Sequence, residues 1–183
     1  MPTDTFCFFH DFALTENYAI FFINSIVVKN VGSIALGLNK ASDGIVFDEN
    51  RRCEVVVVDI NKMEIAKTFK LDPIAVVHFG SSHLKTGKLF VDACKTDNFE
   101  TNQQLSNLFN PDFDFSIGGT RYCQYEINLA IDVISYRGIN EDASPCEFPQ
   151  WSWHRTAVET RYAYVAAFFD NGAKNYFQWH SKI

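Results

Sequence analysis

The feature that most constrains this chain is a cadence. Short runs of β-branched and aromatic residues recur along it, broken by turn signals at roughly 8–12 residue spacing. Tyr18–Val28 is one such run, and Cys53–Ile60 (CEVVVVDI) is another. Glu64–Leu71 and Lys88–Cys94 alternate apolar and polar positions, as half-buried strands do. Ile74–Phe79, Arg121–Asn128, Ile131–Tyr136, Arg161–Phe169 and Lys174–Ile183 continue the series. Gly32 and Gly37 punctuate a loop, Asp43-Gly44 and Thr86-Gly87 mark turns, and Asp170-Asn171-Gly172 reads as a hairpin. One stretch alone has helical spacing: in Thr101–Phe109, Leu105, Leu108 and Phe109 share a face, and Pro111 ends it. About ten short strands with one short helix in a loop predict an all-β sandwich, barrel or propeller. No internal repeat or linker divides the chain, so residues 1–183 are read as one unit.

Composition narrows the function. The net charge of -6 provides no basic footprint, so nucleic acid is excluded as an expected partner. Five cysteines, far apart and with no CxxC pair, point to free thiols in a reducing intracellular compartment. The N-terminus lacks the basic region of a signal peptide, and Tyr18–Val28 is too short to span a bilayer. A peripheral membrane contact stays open. The 18 phenylalanines favour a sheet-rich core or an apolar ligand site.

Polar residues inside the aromatic run Phe6–Phe22 (FCFFHDFALTENYAIFF) need a reason to be there. For His10-Asp11 the commoner reason is a core histidine oriented by its neighbouring carboxylate; the sharper one is a metal ligand in an apolar pocket. His78, after Val77, repeats the pattern, and Glu147 lies between Cys146 and Phe148-Pro149. Two imidazoles and a carboxylate suit non-haem iron, although Glu147 also reads as an ordinary acid ending a loop. His83, in GSSHLKTG, is expected in a solvated turn, and His180 is expected to be exposed. The loop around His154 (WSWHR) is read as core packing in preference to a membrane-facing edge. No GxSxG elbow, phosphate-binding glycine loop or HExxH motif occurs, and no oxyanion site accompanies Cys7 and His10.

The string FFHDFALTENYAIFF resembles the histidine motif of the carotenoid cleavage oxygenases, in the style of their apocarotenoid-cleaving members. The resemblance continues in order through Leu36-Gly37-Leu38, Cys53–Asp59, Val76–Phe79 with Lys88–Cys94, Tyr125–Leu129, Cys146–Pro149 and Arg161–Tyr164. It implies a seven-bladed β-propeller with Fe(II) on its axis, held by four histidines backed by glutamates. Such proteins use O2 to cut a double bond of a carotenoid or apocarotenoid into two carbonyl products. By motif, His10 and His78 match two of the four ligands, and Glu147 matches an acid that holds a ligand imidazole. Phe8 matches an aromatic position lining the substrate tunnel. The family's remaining two ligands lie upstream and downstream of these motifs. The resemblance therefore implies an internal fragment, truncated at both ends, of about three blades. Ser81-Ser82 replace the usual Asn-Ala of the second motif, and Val77 replaces an aromatic residue. Three readings follow: part of an Fe(II) dioxygenase, a non-catalytic remnant that binds an apolar ligand or a partner chain, or an unrelated β-sandwich binding module.

Overall fold

A computed structural model describes residues 10–99, 107, 110, 112, 119–139, 145–167 and 178–181. The fold is mostly antiparallel β, with few and short helices. In chain order the first elements are β1 (Ala13–Leu14), β2 (Tyr18–Ile23), β3 (Ile26–Val28), α1 (Val31–Ala35), α2 (Ala41–Gly44) and β4 (Ile45–Phe47). There follow β5 (Cys53–Asp59), β6 (Glu64–Leu71), β7 (Ala75–Lys85), β8 (Lys88–Thr96), β9 (Arg121–Asn128) and β10 (Val133–Gly138). β11 (Cys146–Gln150), a single 3-10 turn at Trp153–Arg155, β12 (Tyr164–Ala167) and β13 (Gln178–Ser181) complete the set.

These strands form two four-stranded sheets, in the orders β1-β2-β5-β6 and β7-β8-β9-β10, and a three-stranded sheet, β11-β12-β13. β3 and β4 pair separately. Each larger sheet presents one chemistry-bearing strand as an edge: β1 in the first, β7 in the second, β11 in the third.

The alternation of the sequence builds the core between the first two sheets. Ile20 and Phe22 of β2 and Cys53, Val55 and Val57 of β5 meet Leu89, Val91 and Ala93 of β8 and Cys123, Tyr125 and Ile127 of β9. The period-2 pattern puts each of these sets on one face of its strand. The opposite face of the middle sheet is covered as well. There Cys94 and Tyr122 pack with Cys146, Ala163 and Ala167 of the third sheet's region. Cover on both faces explains why β8 buries residues of both parities, with Leu89, Val91 and Ala93 on one face and Asp92 and Cys94 on the other.

The expected single strand Tyr18–Val28 is two. It breaks at Asn24-Ser25 because these side chains bond to another strand. Asn24 Nδ2 donates to the Val76 carbonyl and Asn24 Oδ1 accepts from the Val76 N–H, both at 2.8 Å. The Ile74 N–H donates to Ser25 Oγ at 3.1 Å. Asn24 thus does for Val76 what a neighbouring backbone would do, and releases the chain from the first sheet.

Other expectations shift for local reasons. The loop at Gly32 begins in α1, and the turn at Asp43-Gly44 closes α2. Ile74–Phe79 extends into the eleven-residue β7, so the segment around His83 is strand and not turn. His83 is buried and stacks on Phe90 with ring centroids 5.2 Å apart. The turn comes three residues later, at Thr86-Gly87, where φ is 50° and 77°. Two successive positive φ values suit a two-residue hairpin loop, and glycine takes the second without strain. Most of the WSWHR loop is not core: Trp153 is 75% exposed and stacks on His154 at 3.7 Å, whereas Trp151 is half-buried. The helix expected at 101–109, the hairpin at 170–172, Cys7 and Phe8 lie outside the described residues, as does the side-chain environment of His180.

Candidate metal centre

Three edge strands bring the candidate residues together. His10 lies in a bend just before β1, His78 in β7 and Glu147 in β11. The rings of His10 and His78 meet edge to face, with centroids 4.9 Å apart and planes at 90°. Glu147 Oε2 stands 2.8 Å from His78 Nδ1. A carboxylate only accepts, so Nδ1 carries a proton, and in the neutral ring the lone pair then lies on Nε2, the tautomer that leaves Nε2 free for a metal. The side chains of His78 and Glu147 are 23% and 21% exposed, so the pair is sheltered and not sealed.

Strand geometry explains how His78 and Glu147 are aimed, whereas His10 is exposed and not enclosed in the apolar pocket its sequence setting suggested. The β7–β8 ladder shifts register between Val76 and Phe79 and again between Phe79 and Ser82. Such bulges re-aim side chains, and His78 sits within the first. The β11–β12 pairing also shifts between Glu147 and Gln150. There Phe148 adopts φ 55°, an unfavourable conformation for a bulky residue, while its N–H donates to Glu147 Oε2 at 3.3 Å. The Phe148 ring lies 4.8 Å from the His78 ring. Phe148 is the residue that sequence reasoning passed over. Its one signal was its place beside Glu147.

Asp11 does not orient His10. Its Oδ1 accepts from the Phe12 N–H at 2.8 Å, and its Oδ2 accepts from the Phe79 N–H at 3.2 Å. The two serines that replace Asn-Ala are also bonded outward. Ser82 Oγ donates to the Leu14 carbonyl at 2.6 Å. Ser81 Oγ donates to Asp92 Oδ2 at 2.9 Å and accepts from Thr160 Oγ1 at 2.8 Å. The substitutions therefore replace an amide by hydroxyls that tie β7 to β1, to β8 and to the segment before β12.

The donor set agrees in kind with a metal that takes imidazole nitrogen. Its number is limited: among the described residues no group of three or more His, Cys, Asp or Glu side chains could hold an ion. This chain brings two converging imidazoles, one of them fixed by a carboxylate.

The strand-edge site, the stacked four-stranded sheets and the histidine motifs define a class, and comparison with known proteins agrees. The chain belongs to the family of RPE65 (retinal pigment epithelial membrane protein) and the carotenoid oxygenases, whose sequence model matches residues 1–183. The particular relative is bacterial: apocarotenoid-15,15'-oxygenase of Synechocystis sp. is 23% identical over 162 residues, which cover 88% of this chain and 32% of that protein. A crystal structure of a chimera of that enzyme (ACO) and RPE65 superposes with a TM-score of 0.73 at 20% identity, over 95% of this chain and 35% of the chimera. Cobalt-substituted Synechocystis ACO gives a TM-score of 0.73 at 20% identity, over 94% of this chain and 34% of its own. The likeness establishes the fold, and the chain spans about a third of the length of these relatives.

Proposed function

We propose that the chain is part of an Fe(II)-dependent dioxygenase that cleaves a double bond of a carotenoid or apocarotenoid. The observation that supports this most is the contact between His10 and His78, with Glu147 bonded behind the second ring. The three larger sheets would be three blades of a seven-bladed propeller, with β1, β7 and β11 facing its axis. His10 and His78 would supply two of the iron's nitrogen ligands, and protein outside this chain the others. Bound iron would supply the activation of O2 for insertion across the polyene double bond. Glu147 would hold the His78 ring in orientation and keep its Nε2 unprotonated. Phe148 would offer an apolar wall to a polyene and exclude water from the reacting bond, and Phe8, by its motif position, would add to the substrate-binding lining.

A lipophilic substrate favours delivery from a membrane. Val31, Leu36 and Leu38, in and after α1, are 61%, 76% and 73% exposed, and we propose them as a peripheral membrane contact. Among the described residues no helix is long and apolar enough to cross a bilayer. The buried thiols Cys53, Cys94, Cys123 and Cys146 suit a reducing compartment, cytoplasm or plastid.

The limited donor set favours one other reading, a non-catalytic segment that binds an apolar ligand or a partner chain. Iron lies near the weak end of the divalent series, so two imidazoles alone hold it poorly. One experiment separates the two. The longest protein carrying this segment is loaded anaerobically with Fe(II), then given an apocarotenal and O2. Loss of the polyene absorbance, abolished by His10→Ala, supports the dioxygenase. An unchanged spectrum at stoichiometric iron supports the binding segment.

A further inference from the structure

His10 and His78 are 68 positions apart, and so are the partners of two hydrogen bonds beside them: Asp11 with Phe79, and Leu14 with Ser82. The two segments therefore run side by side, parallel and in one register. Among the described residues no backbone pairing between β1 and β7 sets that register, because each is the edge strand of its own sheet. It is set by side chains. Asp11 follows one histidine and Phe79 follows the other.

From this we infer that Asp11 is a positioning residue for the histidine pair. Its carboxylate fixes the chain after His10 through the Phe12 N–H and the chain after His78 through the Phe79 N–H. Both donors are backbone, so Asp11 holds Cα positions and not ring rotamers. Glu147 acts on the His78 ring itself. The two acids thus have separate roles. Glu147 orients one imidazole, and Asp11 sets the distance between the two. A carboxylate is required because two N–H groups converge on it from different segments. An asparagine side chain has one acceptor oxygen and must leave one of the two donors facing its own NH2. Ser82 supplies a second rung three residues on, bonded to the Leu14 carbonyl, and keeps the segments parallel beyond the histidines.

The positioning role stands on the metal-free geometry, while its purpose rests on the proposed iron reading. The test has two readouts on this chain. The first is the NMR cross-relaxation peak between the carbon-bound protons of the His10 and His78 rings. Wild type shows it. Asp11→Ala loses it while the His78 Nδ1 proton signal stays. Asp11→Asn, which is isosteric and keeps one acceptor, weakens it at least twofold. The second readout is Co(II) titration by visible absorbance, in which Asp11→Ala raises Kd roughly 10-fold or more. Undiminished ring cross-peaks in both Asp11 variants overturn the inference. If wild type shows the peak, Asp11→Ala loses it and no variant takes up Co(II), the positioning role holds and the metal reading fails. Absence of the peak in wild type overturns both.

Discussion

Glu147 Oε2 and His78 Nδ1 meet at 2.8 Å although they belong to different sheets, β11 and β7. The bond fixes a tautomer and also joins two sheet edges. Glu147→Ala should therefore lower Co(II) affinity roughly 10- to 100-fold. Glu147→Gln keeps an acceptor for the Nδ1 proton and should lose clearly less. Titration of the three proteins by cobalt absorbance gives the order, wild type tightest and alanine weakest.

Asn24 is 2% exposed and bonds both backbone groups of Val76. Asn24→Ala leaves a buried N–H and a buried C=O unpaired and should cost about 2–5 kcal/mol. Asn24→Asp keeps the acceptor but sets carboxylate oxygen against the Val76 carbonyl, so it should destabilise as well. Urea unfolding curves measure both losses.

Burial pushes the Cys53 and Cys123 thiols from the ordinary 9.0 up to about 12. The unfolded chain releases these protons near pH 9, while the folded chain keeps them to about 12. Between those limits the folded state binds more protons, so stability falls as pH rises; below pH 9 the contribution is complete. Each thiol should remove up to about 1.4 kcal/mol per pH unit in that window. Cys53→Ala with Cys123→Ala should flatten the decline seen by urea unfolding between about pH 9 and 11.

A Cβ at Gly80 would fall on the Tyr122 hydroxyl and lie 3.0 Å from Asp92 Cβ. Gly80→Ala, two residues after His78, should cost about 1–3 kcal/mol by overpacking. Tyr122→Phe removes the obstructing oxygen, though it costs the hydroxyl its Asp92 bond. The double variant should be more stable than the sum of the single losses, by about 0.5 kcal/mol or more in a double-mutant cycle.

Leu36→Glu combined with Leu38→Glu should reduce cosedimentation with phosphatidylcholine and phosphatidylglycerol vesicles several-fold. Both residues are largely exposed, so the melting temperature should barely move.

Much of this molecule was legible in its sequence. Apolar alternation located β6 and β8, and runs rich in β-branched and aromatic residues located β5 and β9, nearly to the residue. The break at Asn24 was not legible as a change of sheet. Its cause is a bond to Val76, 52 positions away. His83 looked solvated because Ser, Lys and Gly surround it, but in β7 it is buried and stacks on its cross-strand neighbour Phe90. The WSWHR tryptophans looked like core, yet this short loop turns Trp153 outward. At the site, His10, His78 and Glu147 became candidates from their polar character in apolar surroundings, and the resemblance to the carotenoid oxygenase motifs singled them out. The partner of Asp11 could not be named, since only the parallel register of two edge strands brings Phe79 to it.

That the candidate residues lie in or just beside three different sheets has a mechanical consequence. No single strand can adjust the spacing of His10, His78 and Glu147 alone; the tilt of one sheet against the next governs it. The Phe22–Phe79 ring contact at 5.3 Å lies between the first two sheets, one residue from His78. Trimming either ring would let those sheets rock, and the imidazoles would drift apart without any change in their own sequence neighbourhood. Ligand spacing here is a reading of how firmly neighbouring sheets are wedged, so substitutions deep in the hydrophobic interior should register as altered metal affinity.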